Sequence, residues 1–238
     1  MHKVYIVGAG PGAPDLITVR GMDLLRRADV LIYAGSLVNP ALVEESGAGL
    51  KLDSQKMTLE DIADAVEEHV RAGELVVRLH SGDPSLYGAI VEQMAEFSRR
   101  GIEAEIVPGV SSLFAAAAAL KTQLTLRDVS ESLIVTRPAG ATLAEDRIAE
   151  FSRLGQTMVV FLGTERMEEV LSRVECPPET PAAVVYHASW PDQMVVIGTV
   201  ADIAAKARAA GIERTALIII GKVADPATSG FGRSVLYS

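Results

Sequence analysis

The chain has 238 residues, 49% of them hydrophobic and 22% charged, which is an ordinary globular composition and enough length for one or two domains with a large core. A net charge of −9, with no basic run interleaved with aromatics, argues against a nucleic-acid binder; the longest apolar stretch, Leu113 to Leu120, is too short to span a membrane. The single cysteine, Cys176, can form neither an internal disulfide nor a cysteine metal cluster, and the N-terminal MHKVYIVGAG enters a strand with no room for a signal peptide, which together predict a cytoplasmic protein.

In chain order, Val4 to Val7 reads as a strand, followed by Gly8-Ala9-Gly10-Pro11-Gly12-Ala13 and a helix expected to begin near Asp15. The spacing satisfies G-x-G-x-x-G/A, the dinucleotide fingerprint. Two features count against that reading: Pro11 removes a backbone amide from the loop, and the next strand, Val30 to Tyr33, ends in Ala34-Gly35 where a ribose-binding acid belongs. Leu24, Leu25 and Ala28 give the first helix its inner face, and Asn39-Pro40 breaks the chain before another helical turn. Thr58 caps a third helix with Asp61 in a capping box, and Leu59, Ile62, Val66 and Val70 line one face up to Gly73.

The stretch LVVRLHSGDPSLYG, Leu75 to Gly88, organises this half of the chain. A short apolar strand is stopped by Ser81-Gly82-Asp83-Pro84, and a helix is expected over Tyr87 to Arg100, ending against Gly101. The turn therefore lies at a strand's carboxyl end, where open α/β sheets bind ligands; Gly82 would let a ligand touch backbone, and Asp83 reads equally as an N-cap. Ala104 to Val107 is the next strand, Pro108-Gly109 a turn, and Ser111-Ser112 open an alanine-rich helix. Strands alternating with helices predict a parallel sheet covered on both faces.

Periodicity lapses from Lys121 to Glu131, so two α/β domains are expected, 1–118 and 119–238. The second reads as strand Leu133 to Thr136, helix Leu143 to Phe151, strand Met158 to Leu162 and helix Glu165 to Val174. The runs Ala182 to Tyr186 and Met194 to Ile197 are then joined by a short polar segment, which suggests an antiparallel pair; a helix and the strand Leu217 to Ile220 complete a mixed sheet. No nucleophile elbow, H-E-x-x-H or P-loop occurs, and His2, His69, His80 and His187 are not at metal-ligand spacing, so no metal site is expected. The residues alone leave a nicotinamide oxidoreductase and a non-catalytic nucleotide-binding module open.

GAGPGAPDLIT, SGDPSLYG and VPGVSS, with VVFLG, VVYHASWP and ALIIIG behind them, resemble in order and spacing the S-adenosylmethionine-dependent tetrapyrrole methyltransferases over essentially the whole chain. Within that family, Tyr33-Ala34-Gly35-Ser36-Leu37-Val38 resembles the precorrin-4 C11-methyltransferases of cobalamin biosynthesis; relatives acting on uroporphyrinogen III carry an acid, a proposed proton acceptor, where this chain has Ala34. The resemblance implies a homodimer with S-adenosylmethionine in an active-site cleft between the two domains. By motif match the cofactor shell is Pro11, Ser81, Gly82, Asp83, Leu86, Ser111, Ser112, Leu162, Ala188 and Ala216, while Ala13 replaces an Asp found in many relatives. It implies a tetrapyrrole substrate and assigns no catalytic base; Arg78, Arg127, Arg137 and Arg166 are the candidates for meeting the substrate's carboxylates.

Overall fold

The computed structural model describes residues 3–227 and Gly230, so His2 lies outside the described residues. The chain divides into two compact units, 1–112 and 113–238. The first runs β1 (Lys3–Gly8), α1 (Val19–Arg27), β2 (Val30–Tyr33), α2 (Pro40–Glu45), β3 (Leu50–Asp53), α3 (Leu59–Arg71), β4 (Val76–His80), α4 (Ile90–Arg99) and β5 (Glu103–Val107). Its sheet is parallel throughout, in the order β3-β2-β4-β1-β5.

Every residue of β4 is buried, as expected of a central parallel strand covered on both faces. Alternation sends Val77 and Leu79 to the side where Leu24 and Leu25 of α1 and Leu42 of α2 pack, and Val76 to the side of Ile62 and Val66 of α3 and Phe97 of α4. Thr58 and Asp61 form the expected capping box on α3. The connection from β1 to β2 steps over β4, while that from β4 to β5 steps back over β1, so the carboxyl ends of β1 and β4 flank the switch point of the sheet.

Three local expectations are corrected. The residues around Asp15 form only a single 3-10 turn, Pro14–Leu16; α1 starts at Val19, with the Thr18 hydroxyl accepting from Gly21 N. The helix expected from Tyr87 starts at Ile90, because Tyr87 and Ala89 both adopt left-handed backbone. Strand β3 has no counterpart in the sequence reading: its LKLD is an edge strand, mostly exposed, without the apolar run that marks its buried neighbours.

The second unit begins with α5 (Ser112–Ala119), whose Leu113, Ala115, Ala116 and Ala117 pack on Val159, Ala183, Val185, Leu217 and Ile219. The boundary expected at 118 lies near the other end of this helix. There follow β6 (Leu133–Thr136), α6 (Ile148–Ser152), β7 (Thr157–Val160), α7 (Met167–Ser172), β8 (Pro181–Tyr186), β9 (Met194–Thr199), α8 (Ile203–Ala209) and β10 (Ala216–Ile220). The sheet is mixed, in the order β6-β7-β10-β8-β9, with β6 and β7 parallel and the remaining pairs antiparallel.

Here too helices are shorter than their sequence patterns. Leu143 pairs with Gly140 in an isolated bridge instead of starting α6, and Thr164–Arg166 is a 3-10 turn ahead of α7. Asp146 holds the 137–147 loop in place by accepting from Ala139 N at 2.6 Å, Ile148 N at 3.2 Å and Arg173 Nη1 at 2.6 Å. These tertiary bonds fix a loop where local periodicity predicts helix.

Candidate active site

In the first unit the loops that leave β1, β4 and β5 are fastened to one another. Gly10 and Gly82 exchange backbone hydrogen bonds, Gly82 N to Gly10 O at 2.8 Å and Gly10 N to Gly82 O at 3.2 Å, and Ala9 N donates to His80 O at 2.6 Å. A Cβ on Gly8 would lie 2.6 Å from the Cα of Gly109, and one on Gly109 would fall on the carbonyl oxygen of Gly82, so this crossing of three loops admits only glycine at either place. Gly82 differs: a Cβ there would meet Ser111 Cα at an ordinary 3.7 Å, and what its position requires is a φ of +62°. Backbone thus packs on backbone at Gly8 and Gly109, while Gly82 has room for a Cβ.

Asp83 is the polar counterpart of this crossing. Its Oδ1 accepts from Ser85 N at 2.8 Å and from the Ser85 hydroxyl, and its Oδ2 accepts from Gly109 N at 2.8 Å. Burial pushes its carboxyl up, and the bonds from Ser85 and Gly109 more than offset this, so that it titrates below the ordinary carboxylate range. It does not cap α4, which starts at Ile90. Leu86 N donates to Asp83 O at 3.2 Å, closing the turn; Ser81 and Leu86 are half-buried, as are Pro11 and Ser112, and Ser111 is buried.

Beneath this turn, on the α3 and α4 face of β4, lie Arg78 and His80. Both are nearly inaccessible, at 6% and 9% exposure, and Arg78 sits in register between Ile6 and Ile32, each fully buried. Arg78 Nε donates to Gln93 Oε1 at 3.4 Å, and Gln93 Nε2 donates to the carbonyls of Gly88 at 3.5 Å and Ala89 at 3.4 Å. Burial, opposed by the charge of Asp53, pushes the guanidinium down to about 10; burial and the charge of Arg78 push His80 down to about 4, leaving it neutral at physiological pH.

The Tyr33 to Val38 loop brings a residue that the sequence reading did not connect with it. Asp53, at the end of β3, accepts from Gly35 N at 3.0 Å and Gln55 N at 3.0 Å, and a Cβ on Gly35 would collide with its carboxylate. An acid therefore borders this loop although Ala34 does not supply one. Nothing local in the sequence ties Asp53 to Gly35; parallel pairing of β2 with β3 does, with Tyr33 opposite Asp53.

In the second unit Leu162, Ala188 and Ala216 come together at one end of the sheet, because β10 runs antiparallel to β7 and β8 and starts where they finish. Four non-glycine residues with left-handed backbone gather at this end: Leu162, His187, Ser189 and Thr215. Such backbone costs on the order of 1–3 kcal/mol per residue and concentrates at binding sites. Leu162 is 67% exposed, an apolar side chain held outward, whereas Ala188 and Ala216 are buried. The Thr164 hydroxyl donates to Ala216 O at 2.8 Å, and His187, stacked on Tyr186 at 3.8 Å, has Nδ1 3.0 Å from Asp192. Among the described residues no group of three or more His, Cys, Asp or Glu is placed to hold a metal ion.

The profile of the tetrapyrrole (corrin/porphyrin) methylases matches residues 3–204. The chain belongs to this family. Among its relatives, the cobalt-precorrin-4 C(11)-methyltransferase of Methanocaldococcus jannaschii is 50% identical over 231 residues, covering 94% of this chain and 89% of that protein. The crystal structure of a cobalamin biosynthetic enzyme, cobalt precorrin-4 methyltransferase, is similar with a TM-score of 0.91 at 42% identity, over 94% of this chain and 97% of that one. Uroporphyrin-III C-methyl transferase of Thermus thermophilus, complexed with S-adenyl homocysteine, follows with a TM-score of 0.77 at 30% identity, over 93% and 98% of the two chains.

Membership of the tetrapyrrole methylases settles the choice left open by the Gly8 loop. The structure adds the physical reason: a dinucleotide loop presents its amides at a helix N-terminus, and here the helix starts only at Val19. Of the four arginines singled out in the sequence, Arg127 lies 3.6 Å from Asp128, Arg137 donates to Thr142 Oγ1 at 2.6 Å, and Arg166 bonds Ala139 O with Glu169 3.6 Å away. Arg78 differs from them in being buried without a carboxylate against it.

Proposed function

We propose that this tetrapyrrole methylase transfers a methyl group from S-adenosylmethionine to C11 of precorrin-4 or its cobalt form, in cobalamin biosynthesis. The observation that carries the reading is the whole-chain likeness, at 50% identity, to a cobalt-precorrin-4 C(11)-methyltransferase. Support for the cofactor comes from the built features of each unit. In the first, three glycine loops and Asp83 form a rigid rim at the switch point; in the second, an outward Leu162 and the small Ala188 and Ala216 suit a flat apolar ring such as adenine. Pro11, Ser81, Gly82, Asp83, Leu86, Ser111, Ser112, Leu162, Ala188 and Ala216 are the residues proposed to hold it.

When bound, S-adenosylmethionine supplies an electrophilic methyl on a cationic sulfonium. The chain's part is to hold, orient and dry the reactants: the fastened loops contribute fixed backbone at no reorganisation cost, which favours alignment over acid-base machinery. Ala34 and Ser36 keep side chains small at the end of β2, where Asp53 occupies the space beside Gly35, so the edge of the macrocycle presented for reaction would be chosen by docking pose.

A homodimer and a cytoplasmic location belong to the same reading; among the described residues no helix is long and apolar enough to cross a membrane. Light scattering at micromolar protein tests the dimer, and a monomer there would remove it. Incubation with isotopically labelled S-adenosylmethionine and each acceptor, followed by NMR, tests the reaction. Label is expected at C11 of precorrin-4; label at C2 and C7 of uroporphyrinogen III with precorrin-4 untouched would defeat the reading.

A further inference from the structure

Arg78 Nη1 and His80 Nε2 are both buried and lack any hydrogen-bond partner among the described residues. They project from the same face of β4, two residues apart, at the carboxyl end of a central strand and directly before the Ser81 to Pro84 turn. A buried guanidinium without a counter-charge in contact is costly to the fold, and the walls around it, Ile6 and Ile32, offer nothing polar in return. Of the Arg78 nitrogens Gln93 Oε1 meets Nε; Gln93 also lies against the His80 ring, and its own amide nitrogen is turned to Gly88 and Ala89, which leaves Arg78 Nη1 and His80 Nε2 unmet. The charge of Asp53 acts on Arg78 from a distance, with neither a hydrogen bond nor an ion pair between them among the described residues, while Asp53 Oδ1 accepts from Gly35 and Gln55.

Two unsatisfied nitrogens from one face of β4, one of them on a cation, make a receptor for an acceptor group with negative charge. We propose that Arg78 Nη1 and His80 Nε2 together receive one carboxylate of a bound ligand, with the neutral imidazole donating from Nε2. A guanidinium edge and an imidazole N–H both donate in a plane, which matches the two oxygens of a carboxylate. Resting on the functional reading above, the carboxylate has two sources, a side chain of the tetrapyrrole or the methionine end of the cofactor. Either way Arg78 is a binding residue whose charge is retained at the expense of the unliganded fold.

The test uses Arg78→Met and Arg78→Lys in the full chain. Without ligand, Arg78→Met is expected to melt at or above the wild-type temperature. Titration calorimetry with S-adenosylhomocysteine and, separately, with the stable octacarboxylate uroporphyrin III is expected to show one affinity falling by about 10- to 100-fold in Arg78→Met, as loss of a charge-assisted bond implies, and partly recovering in Arg78→Lys. Loss confined to uroporphyrin assigns the carboxylate to the macrocycle; loss confined to S-adenosylhomocysteine assigns it to the cofactor. Unchanged affinity for both, or a lower melting temperature with no change in affinity, overturns the proposal. A third probe separates its failure from that of the functional reading: sodium acetate, against sodium chloride at equal ionic strength, is expected to raise the melting temperature of the wild type and not of Arg78→Met. If the wild type binds neither larger ligand yet keeps this Arg78-dependent response, the functional reading falls and the carboxylate site stands; an acetate response equal in both proteins removes the site.

Discussion

Asp83→Ala removes the carboxylate that joins the loop after β4 to the loop after β5. That carboxylate accepts from Gly109 N at 2.8 Å and Ser85 N at 2.8 Å. Hydrogen bonds to a charged group are worth about 1.5–3 kcal/mol each. Ser85 is exposed, so water replaces most of its bond, whereas Gly109 is half-buried and crosses between loops. The net loss is therefore expected at about 2 kcal/mol, close to the value of one such bond. For a chain of this size that corresponds to a melting point lower by roughly 4–8 °C. Asp83→Asn keeps an acceptor without the charge and is expected to lose about half as much. The sign of the pH dependence follows from the lowered carboxyl: its contribution is present above the unfolded value of about 3.9 and is lost as pH falls through the lower folded value. Urea denaturation of wild type and both variants, at neutral pH and again near pH 3, measures this, and calorimetry with S-adenosylhomocysteine reports the effect on the proposed cofactor site. A helix cap would give about 1 kcal/mol at most positions. A loss below about 0.5 kcal/mol at neutral pH, or a loss equally large in acid, would refute the inter-loop role.

Gly109→Ala places a methyl group on the Gly82 carbonyl; it is expected to destabilise by about 1–3 kcal/mol and to abolish S-adenosylhomocysteine binding in the folded fraction, both read by denaturation and calorimetry. His80, held near 4 by burial and by Arg78, forces the folded state to stay neutral while the unfolded histidine takes up a proton below about 6.5, so stability is expected to fall by up to about 3 kcal/mol between pH 6.5 and 4. Much of that slope should vanish in His80→Gln, and a denaturation series showing the same slope in both proteins contradicts the assignment. In the second unit the Ser130 hydroxyl, 3% exposed, accepts from Thr157 N at 2.7 Å and from the Thr157 hydroxyl at 2.9 Å and donates to Ser132 O at 3.0 Å. Ser130→Ala is expected to cost about 1–3 kcal/mol on thermal melting, without the loss of ligand affinity expected at Gly109.

Strand β4 and the strands beside it were legible in the sequence because a strand buried on both faces must be apolar nearly throughout, and Val76, Val77 and Leu79 say so locally. The capping box at Thr58 and the alternation of strands with helices were legible for the same reason: each is a relation between residues a few positions apart. The mixed second sheet followed from the short connection between β8 and β9. The family motifs placed the candidate site at strand ends, since glycines and Asp-Pro leave few backbone choices.

What the tertiary structure decided lies between residues distant in sequence. Edge strand β3 has no pattern of its own and exists because Val30 to Tyr33 pairs with it. The start of α4 is delayed to Ile90 by the left-handed Tyr87 and Ala89, and Asp83 turns to Gly109, 26 positions away, instead of to a helix. Left-handed backbone at Leu162, His187, Ser189 and Thr215 cannot be read from residue types that ordinarily avoid it. An unsatisfied guanidinium is likewise invisible in a string: Arg78 looks like any other arginine until burial and the positions of Gln93 and Asp53 show which of its nitrogens remain unused. Propensity and periodicity are local properties of the chain, whereas burial and hydrogen-bond satisfaction are properties of the packed whole, and the chemistry of this protein rests on the latter.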